Sequence, residues 1–291
     1  MFRGSIPALV TPFRDEAFDE AAFRNLVEWQ IAEGSHGLVP VGTTGESATL
    51  SADEHRRVIL ACVGQAKGRV PVIAGCGSNS TAAVIAYMRA AQEAGADAAL
   101  VVLPYYNRPN QDGIFAHFEA ISAASSLPVI VYNVPGRTVT DVLPDTLGRI
   151  ARLPNIVGIK DASGDLSRVT AHRALCGNAF AQLSGNDDMS LGFLAMGGVG
   201  TISVTANVAP RLFSALHDAY LSGDHASALA INDRLYPLHK ALFSDASPGP
   251  VKYGLSKVRP GFPAALRLPM TPPSEASRAA VDAALAHAGL V

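Results

Sequence analysis

The chain has 291 residues, 48% of them hydrophobic and 16% charged, with 23 Lys+Arg against 25 Asp+Glu and a formal net charge of −2. So balanced a charge, with no block of one sign, excludes the electrostatic footprint of a nucleic-acid binder. The longest apolar runs, such as 98–103, fall far short of the roughly 18 residues of a membrane helix, and residues 6–10 are too few for a secretory signal, so a cytoplasmic protein without membrane contact is expected.

In chain order, β-rich apolar runs occur at 5–10, 37–41, 71–74, 98–103, 128–132, 156–160, 181–184 and 200–204. Segments of helical period alternate with them, for example Phe23, Leu26, Val27, Gln30 and Ile31, which is the pattern of repeated βα units around a parallel sheet. Ser51 before Asp53 and Glu54 predicts a capped helix start, and Gly34, Gly68 and Gly95 stand where helices should end. Eight such units predict an α/β fold of the (β/α)8 TIM-barrel type, for which about 250 residues is typical. An open doubly wound sheet would need a phosphate-binding fingerprint near the first strand, and Gly75-x-Gly77 lacks the third glycine. Helical segments near 225–242, 250–258 and 275–288, with no further strand, predict a C-terminal helical extension. The expected organisation is a catalytic barrel over 1–224 and a helical appendage over 225–291, with Arg267 to Pro273 as a turn or linker.

Active sites of such barrels form where strands end, so polar residues there are the candidates. The chain has five lysines: Lys67, Lys160, Lys240, Lys252 and Lys257. Four fall in predicted helices or their ends and read as solvated surface charges. Lys160 instead closes the run Ile156-Val157-Gly158-Ile159-Lys160 and should point into an apolar barrel mouth, where an ammonium costs several kcal/mol unless it is paired or loses its proton. A desolvated lysine is a nucleophile toward ketones and forms a Schiff base; the competing reading is a structural lysine bridging to Asp161. Tyr132 ends the neighbouring strand and could move protons, unless it is a core tyrosine. Thr43 and Thr44, between Gly42 and Gly45, offer hydroxyls and N–H groups to a carboxylate, or form a plain glycine-rich turn. Eight histidines without ligand spacing argue against metal catalysis, and no cofactor is expected. Cys62, Cys76 and Cys176 show no CxxC spacing and read as ordinary packed residues.

Four segments in order, Val41-Gly42-Thr43-Thr44-Gly45-Glu46-Ser47, Pro104-Tyr105-Tyr106-Asn107, Tyr132-Asn133-Val134-Pro135-Gly136-Arg137-Thr138 and Gly158-Ile159-Lys160-Asp161, resemble the signatures of the dihydrodipicolinate synthase / N-acetylneuraminate lyase family. The tail Arg267-Leu268-Pro269-Met270-Thr271-Pro272 shares the likeness, which runs nearly the whole chain. The resemblance implies a class I, pyruvate-handling aldolase, assembled as a homotetramer, a dimer of dimers. It implies that Lys160 forms the imine with pyruvate and that Tyr132 shuttles protons. Thr43 and Tyr106 would complete the relay, with Tyr106 reaching into the neighbouring subunit's site. Thr44 and Ile202 would hold the pyruvate carboxylate or contact the imine, and Gly185 would line the pocket.

Arg137 resembles the synthases' clamp for the second substrate's carboxylate, a task its bidentate fork suits. The implied reaction is condensation of pyruvate with aspartate semialdehyde to 4-hydroxy-tetrahydrodipicolinate. Cleavage of a 2-keto-3-deoxy sugar acid or N-acetylneuraminate is the alternative, and a non-catalytic keto-acid binder a third reading. Asn186 stands where an aspartate is common, and Ser247-Pro248-Gly249-Pro250 replaces the usual Asn-Pro-Ile-Pro. Of the regulatory lysine site of some members, Ser47, Ala48, His55, Asn79 and Tyr105 match, while Ala52 and Ala83 replace a histidine and a glutamate. Losing the charge-assisted hydrogen bond from that glutamate removes about 1.5–3 kcal/mol, so weak or absent feedback inhibition by lysine is expected.

Overall fold

A computed structural model describes residues 2–291. Nine strands are present among the described residues: β1 (Gly4–Pro7), β2 (Phe13–Arg14), β3 (Ala17–Phe18), β4 (Ile73–Gly75), β5 (Ala98–Val102), β6 (Val129–Asn133), β7 (Ile156–Asp161), β8 (Ala181–Ser184) and β9 (Gly200–Ser203). Seven of them form one parallel sheet in the order β1-β9-β8-β7-β6-β5-β4, and β2 with β3 makes a small antiparallel hairpin. Strands such as Ala98-Ala99-Leu100-Val101-Val102 are apolar at every position because helices cover one face while the other faces the barrel interior.

The eighth side of the barrel is the segment 37–41. It is bridged to its neighbours at Ala8↔Val39 and Leu38↔Val72, and backbone bonds run along both of its edges. Val39 donates to the Pro7 carbonyl at 2.9 Å and Leu38 to that of Pro71 at 2.9 Å; Ile73 donates back to Leu38 at 2.8 Å. Pro40 and the left-handed backbone of Val41 (φ 50°) stop this strand before it lengthens into a regular ladder. Gly75 makes the closure possible, since a Cβ there would stand 2.2 Å from the Val41 carbonyl oxygen.

Among the described residues nine helices accompany the strands: α1 (Glu20–Ala32), α2 (Ala52–Ala66), α3 (Thr81–Glu93), α4 (Gln111–Ala124), α5 (Pro135–Thr138), α6 (Pro144–Ile150), α7 (Ser167–Cys176), α8 (Ser190–Ala195) and α9 (Pro210–Leu221). Ser51 caps α2 through the Glu54 N–H, and Glu54 answers on the Ser51 N–H, a reciprocal capping box. The tail adds α10 (His225–Ala241), α11 (Gly249–Val258) and α12 (Glu275–His287). No helix among the described residues is long and apolar enough to cross a membrane.

Two apolar clusters hold the molecule. The inner one fills the barrel with Ile6, Val39, Ile73, Leu100, Ile130, Leu183 and Ile202. The outer one lies between strands and helices, and it carries Leu235, Leu238, Val251, Leu255, Val281 and Leu285 of the tail together with Phe23 and Phe213. The tail helices therefore share the barrel's own outer core.

Candidate active site

Strand alternation decides which side chains enter the barrel. On β6, Val129 and Val131 belong to the outer cluster while Ile130 and Tyr132 belong to the inner one. On β7, Ile159 belongs to the outer cluster, so Lys160 faces inward beside Tyr132, its register partner. The Lys160 Nζ lies 4.2 Å from the Tyr132 ring centroid, and the lysine is only 6% exposed. Gly185, one residue beyond β8, leaves space for it: a Cβ there would meet Lys160 Cε at 3.1 Å and Ala162 Cβ at 2.7 Å. Lys160 is not bridged to Asp161. The Asp161 Oδ1 accepts from the Ser163 N–H at 2.8 Å, and its Oδ2 has no partner, so the structural reading of this lysine is set aside.

Lys160 and Tyr132 line a pocket of about 40 Å³ with Gly42, Thr43, Ser47 and Leu100. A water needs about 10–15 Å³ on this measure, so the space admits a molecule of only a few heavy atoms. Thr43, Ser47, Gly75, Gly77 and Val102 also belong to the wall of an adjoining cleft of about 400 Å³. Arg137 lies on that cleft, on the short helix α5 opened by Pro135, and is exposed. Ser247, Pro248, Pro269 and Met270 of the tail line the far side.

The remaining predicted site residues are placed unevenly. Thr44 is buried in the same turn as Thr43 but lines neither space, and Ile202 packs within the barrel interior. Tyr106 points away from its own chain's pocket: it is 91% exposed and sits at φ 70°, an unusual backbone for a bulky residue. Of the expected regulatory residues, Ser47, Ala48, His55 and Tyr105 line the cleft, whereas Asn79 stands outside it and accepts from Asn107 Nδ2 at 2.8 Å. His55 donates through Nε2 to the Gly75 carbonyl at 2.8 Å and packs on Tyr87, and burial pushes its pKa down. Ala52 opens α2 and Ala83 lies in the first turn of α3. Cys62 and Cys76 are buried, which pushes their thiol pKa values up, and Cys176 is partly buried.

One lysine expected at the surface is not there. Lys67, Lys240 and Lys257 are exposed, but Lys252 is fully buried. Its Nζ donates to Glu46 Oε1 at 2.5 Å and to the Ala265 carbonyl at 2.7 Å, and lies 4.4 Å from the Phe13 ring centroid. Burial lowers the Lys252 pKa, and the Glu46 carboxylate opposes that shift. Arg267, expected in a linker, is an anchor instead. Its N–H donates to Glu46 Oε2 at 3.1 Å, and its guanidinium grips both oxygens of Glu54 at 2.5 and 2.9 Å. That grip holds the Glu54 pKa down at about 2. A helical lysine reads as solvated because its long stem usually carries the charge to water. The signal that could have found this one is the stripe Val251-Lys252-x-x-Leu255, a charge amid buried positions, together with a lone acid in the hydroxyl-rich turn at Glu46.

A parallel eight-sided barrel with one buried, unbridged lysine at the end of its sixth side defines an α/β barrel with an enclosed amine site. The family model described as the dihydrodipicolinate synthetase family matches residues 1–288. The 4-hydroxy-tetrahydrodipicolinate synthase of Rhizorhabdus wittichii is 69% identical over 290 residues, covering 100% of both chains. The protein of the same name from Zymomonas mobilis is 58% identical, again over 100% of both. Among solved structures, the chloride-inhibited dihydrodipicolinate synthase of Acinetobacter baumannii complexed with pyruvate superposes with a TM-score of 0.97 at 43% identity, over 100% of each chain. The Thermotoga maritima dihydrodipicolinate synthase gives 0.97 at 40%, also over 100% of each. The chain belongs to the dihydrodipicolinate synthetase family.

Proposed function

We propose that this chain condenses pyruvate with L-aspartate 4-semialdehyde to 4-hydroxy-tetrahydrodipicolinate through an imine on Lys160. The observation that carries the reading is Lys160 itself, buried, unbridged and beside Tyr132 in a pocket of about 40 Å³ that adjoins the Arg137 cleft. The free amine attacks C2 of pyruvate, and the Tyr132 hydroxyl carries protons to and from the carbinolamine as water leaves. The protonated imine draws electrons from C3, which loses a proton to give the enamine. Enamine carbon then bonds to the aldehyde carbon of the second substrate, whose carboxylate the Arg137 guanidinium pairs with in the cleft. The aldehyde oxygen takes a proton to become the hydroxyl, and the semialdehyde's amino group attacks C2, closing the ring as the C2–N bond to Lys160 breaks and the amine is released. Thr43, which lines the pocket, joins the proton relay. Tyr106 completes the relay of a neighbouring chain in a homotetramer, an arrangement its exposure supports. Relatives of 58–69% identity bearing the synthase name favour this second substrate over a sugar acid.

Borohydride reduction in the presence of pyruvate, followed by peptide mapping, tests the mechanism beside an assay of aspartate semialdehyde consumption. A reduced pyruvyl adduct on Lys160 with turnover is expected. An adduct without turnover would move the second substrate to the sugar acids, and an unmodified Lys160 would overturn the imine.

A further inference from the structure

We infer that Glu46 and Lys252 are positioning residues whose buried pair holds the Thr43-Thr44 turn against the Lys160 pocket. The inference rests on the reading above. Two non-glycine residues in the left-handed region bracket the turn, Val41 at φ 50°, which ends segment 37–41, and Glu46 at φ 56°. Such conformations persist only where the surroundings over-determine them, and they cluster at functional sites. From the barrel side the turn is held by Thr11 Oγ1, which donates to the Gly45 carbonyl at 2.7 Å, and by the Gly75 N–H on the Pro40 carbonyl at 3.0 Å. From the other side its anchor is the Glu46 carboxylate. Both oxygens are taken by the tail, one by Lys252 and one by the Arg267 N–H.

A buried ion pair is a poor source of stability, because apolar residues of similar volume are often as stable or more so. What this pair supplies is one geometry at one place. Thr43 and Ser47, on either side of the anchor, line both the Lys160 pocket and the cleft, so a turn that shifts displaces their hydroxyls while leaving Lys160 where it is. Pro269 and Met270, two and three residues past Arg267, line the cleft as well. One strap of the tail thus sets both the proton relay and the cleft's far wall.

The test follows exchange of the pyruvate methyl protons in deuterium oxide, which needs the imine and the relay but no second substrate, alongside borohydride trapping. Glu46→Gln keeps the shape and an acceptor for Lys252 but loses the charge. It is expected to slow exchange tenfold or more while the yield of trapped adduct at equilibrium stays within twofold of wild type. Thr43→Val slows exchange as well, and Thr43→Val with Glu46→Gln should be no slower than Thr43→Val alone, since both act through one hydroxyl. The pair Glu46→Gln/Lys252→Met, without either charge, should melt near the wild-type temperature and remain slow. Multiplying effects in the Thr43 combination would overturn the inference, as would wild-type exchange in the chargeless pair. Should that pair not fold, the Thr43 combination decides. A wild-type chain that traps no pyruvate would overturn the imine reading and this inference with it, whereas variants that exchange normally in a chain that traps would overturn this inference alone.

Discussion

Gly185 carries no side chain, yet Lys160 depends on it. An alanine there would press its methyl against Lys160 Cε and Ala162 Cβ, and Ala162 sits on backbone that cannot yield cheaply. Gly185→Ala is expected to slow imine trapping tenfold or more and to cost about 1–3 kcal/mol of stability as an overpacked site; trapping rates with a melting curve check it. Arg137→Ala is expected to leave trapping intact while raising KM for the second substrate, since a hydrogen bond to a charged group contributes about 1.5–3 kcal/mol, roughly ten- to a hundredfold. An unchanged KM would take Arg137 out of the site. At this scale Lys160 and Tyr132 were legible because a strand's two-residue period fixes which face a side chain takes. Lys252 was not, since a helix position does not say whether a distant carboxylate will meet it, and Glu46 lies 206 residues away.

The barrel strands were legible as elements because residues covered on both faces form uninterrupted apolar runs, and predicted and observed strands agree to within a few residues. Segment 37–41 is the exception in form, a strand in its hydrogen bonds but too short to ladder. The β2–β3 hairpin went unseen, since two-residue strands have no period to read. The helices α2 and α3 bear on regulation. Ala52 and Ala83 on them present methyl groups where a histidine and a glutamate are expected of a lysine-binding site, and nothing at Ala83 can pair with an α-amino group. Turnover is therefore expected to be unchanged in millimolar lysine, as initial rates would show. Half-inhibition at or below the low millimolar range would contradict it.

For the whole molecule, buried histidines set the response to acid. His117 and His217 are buried, and desolvation holds both at about 4, against 6.5 for an ordinary histidine. Between those values the unfolded chain binds protons that the folded chain refuses, so stability is full above pH 6.5 and is lost as pH falls toward 4. Glu54, held at about 2, adds a second loss below pH 4.5. Calorimetry from pH 7.5 to 4 should show a falling melting temperature, and His217→Asn should reduce the slope by about one proton; a rise on acidification would refute the assignment. Assembly is testable through Tyr106, which is 91% exposed on the single chain. Lys160→Met chains and Tyr106→Phe chains, mixed in equal amounts, should form hybrid dimers with one complete site each, restoring about a quarter of the wild-type rate under isologous pairing. Rates no higher than the parental average would confine Tyr106 to its own chain. The resemblance carried by Pro104-Tyr105-Tyr106-Asn107 implies this reach into a neighbour, whereas periodicity and spacing say nothing of which molecule the residue serves.

The pairing of β1 with β9 places the first strand of the barrel beside its last, and Asn207 Nδ2 bonds the Ala8 carbonyl across 199 residues. During synthesis at roughly 5–20 residues per second, β1 waits about 10–40 s before its neighbour leaves the ribosome. Until then its edge is open, and the sheet grows with one flank unmatched. Contacts of such long sequence separation make folding slow. Barrel closure thus waits on β9, with the tail helices still to be made and docked afterwards, and the interval before it leaves the nascent sheet open to mispairing along one edge.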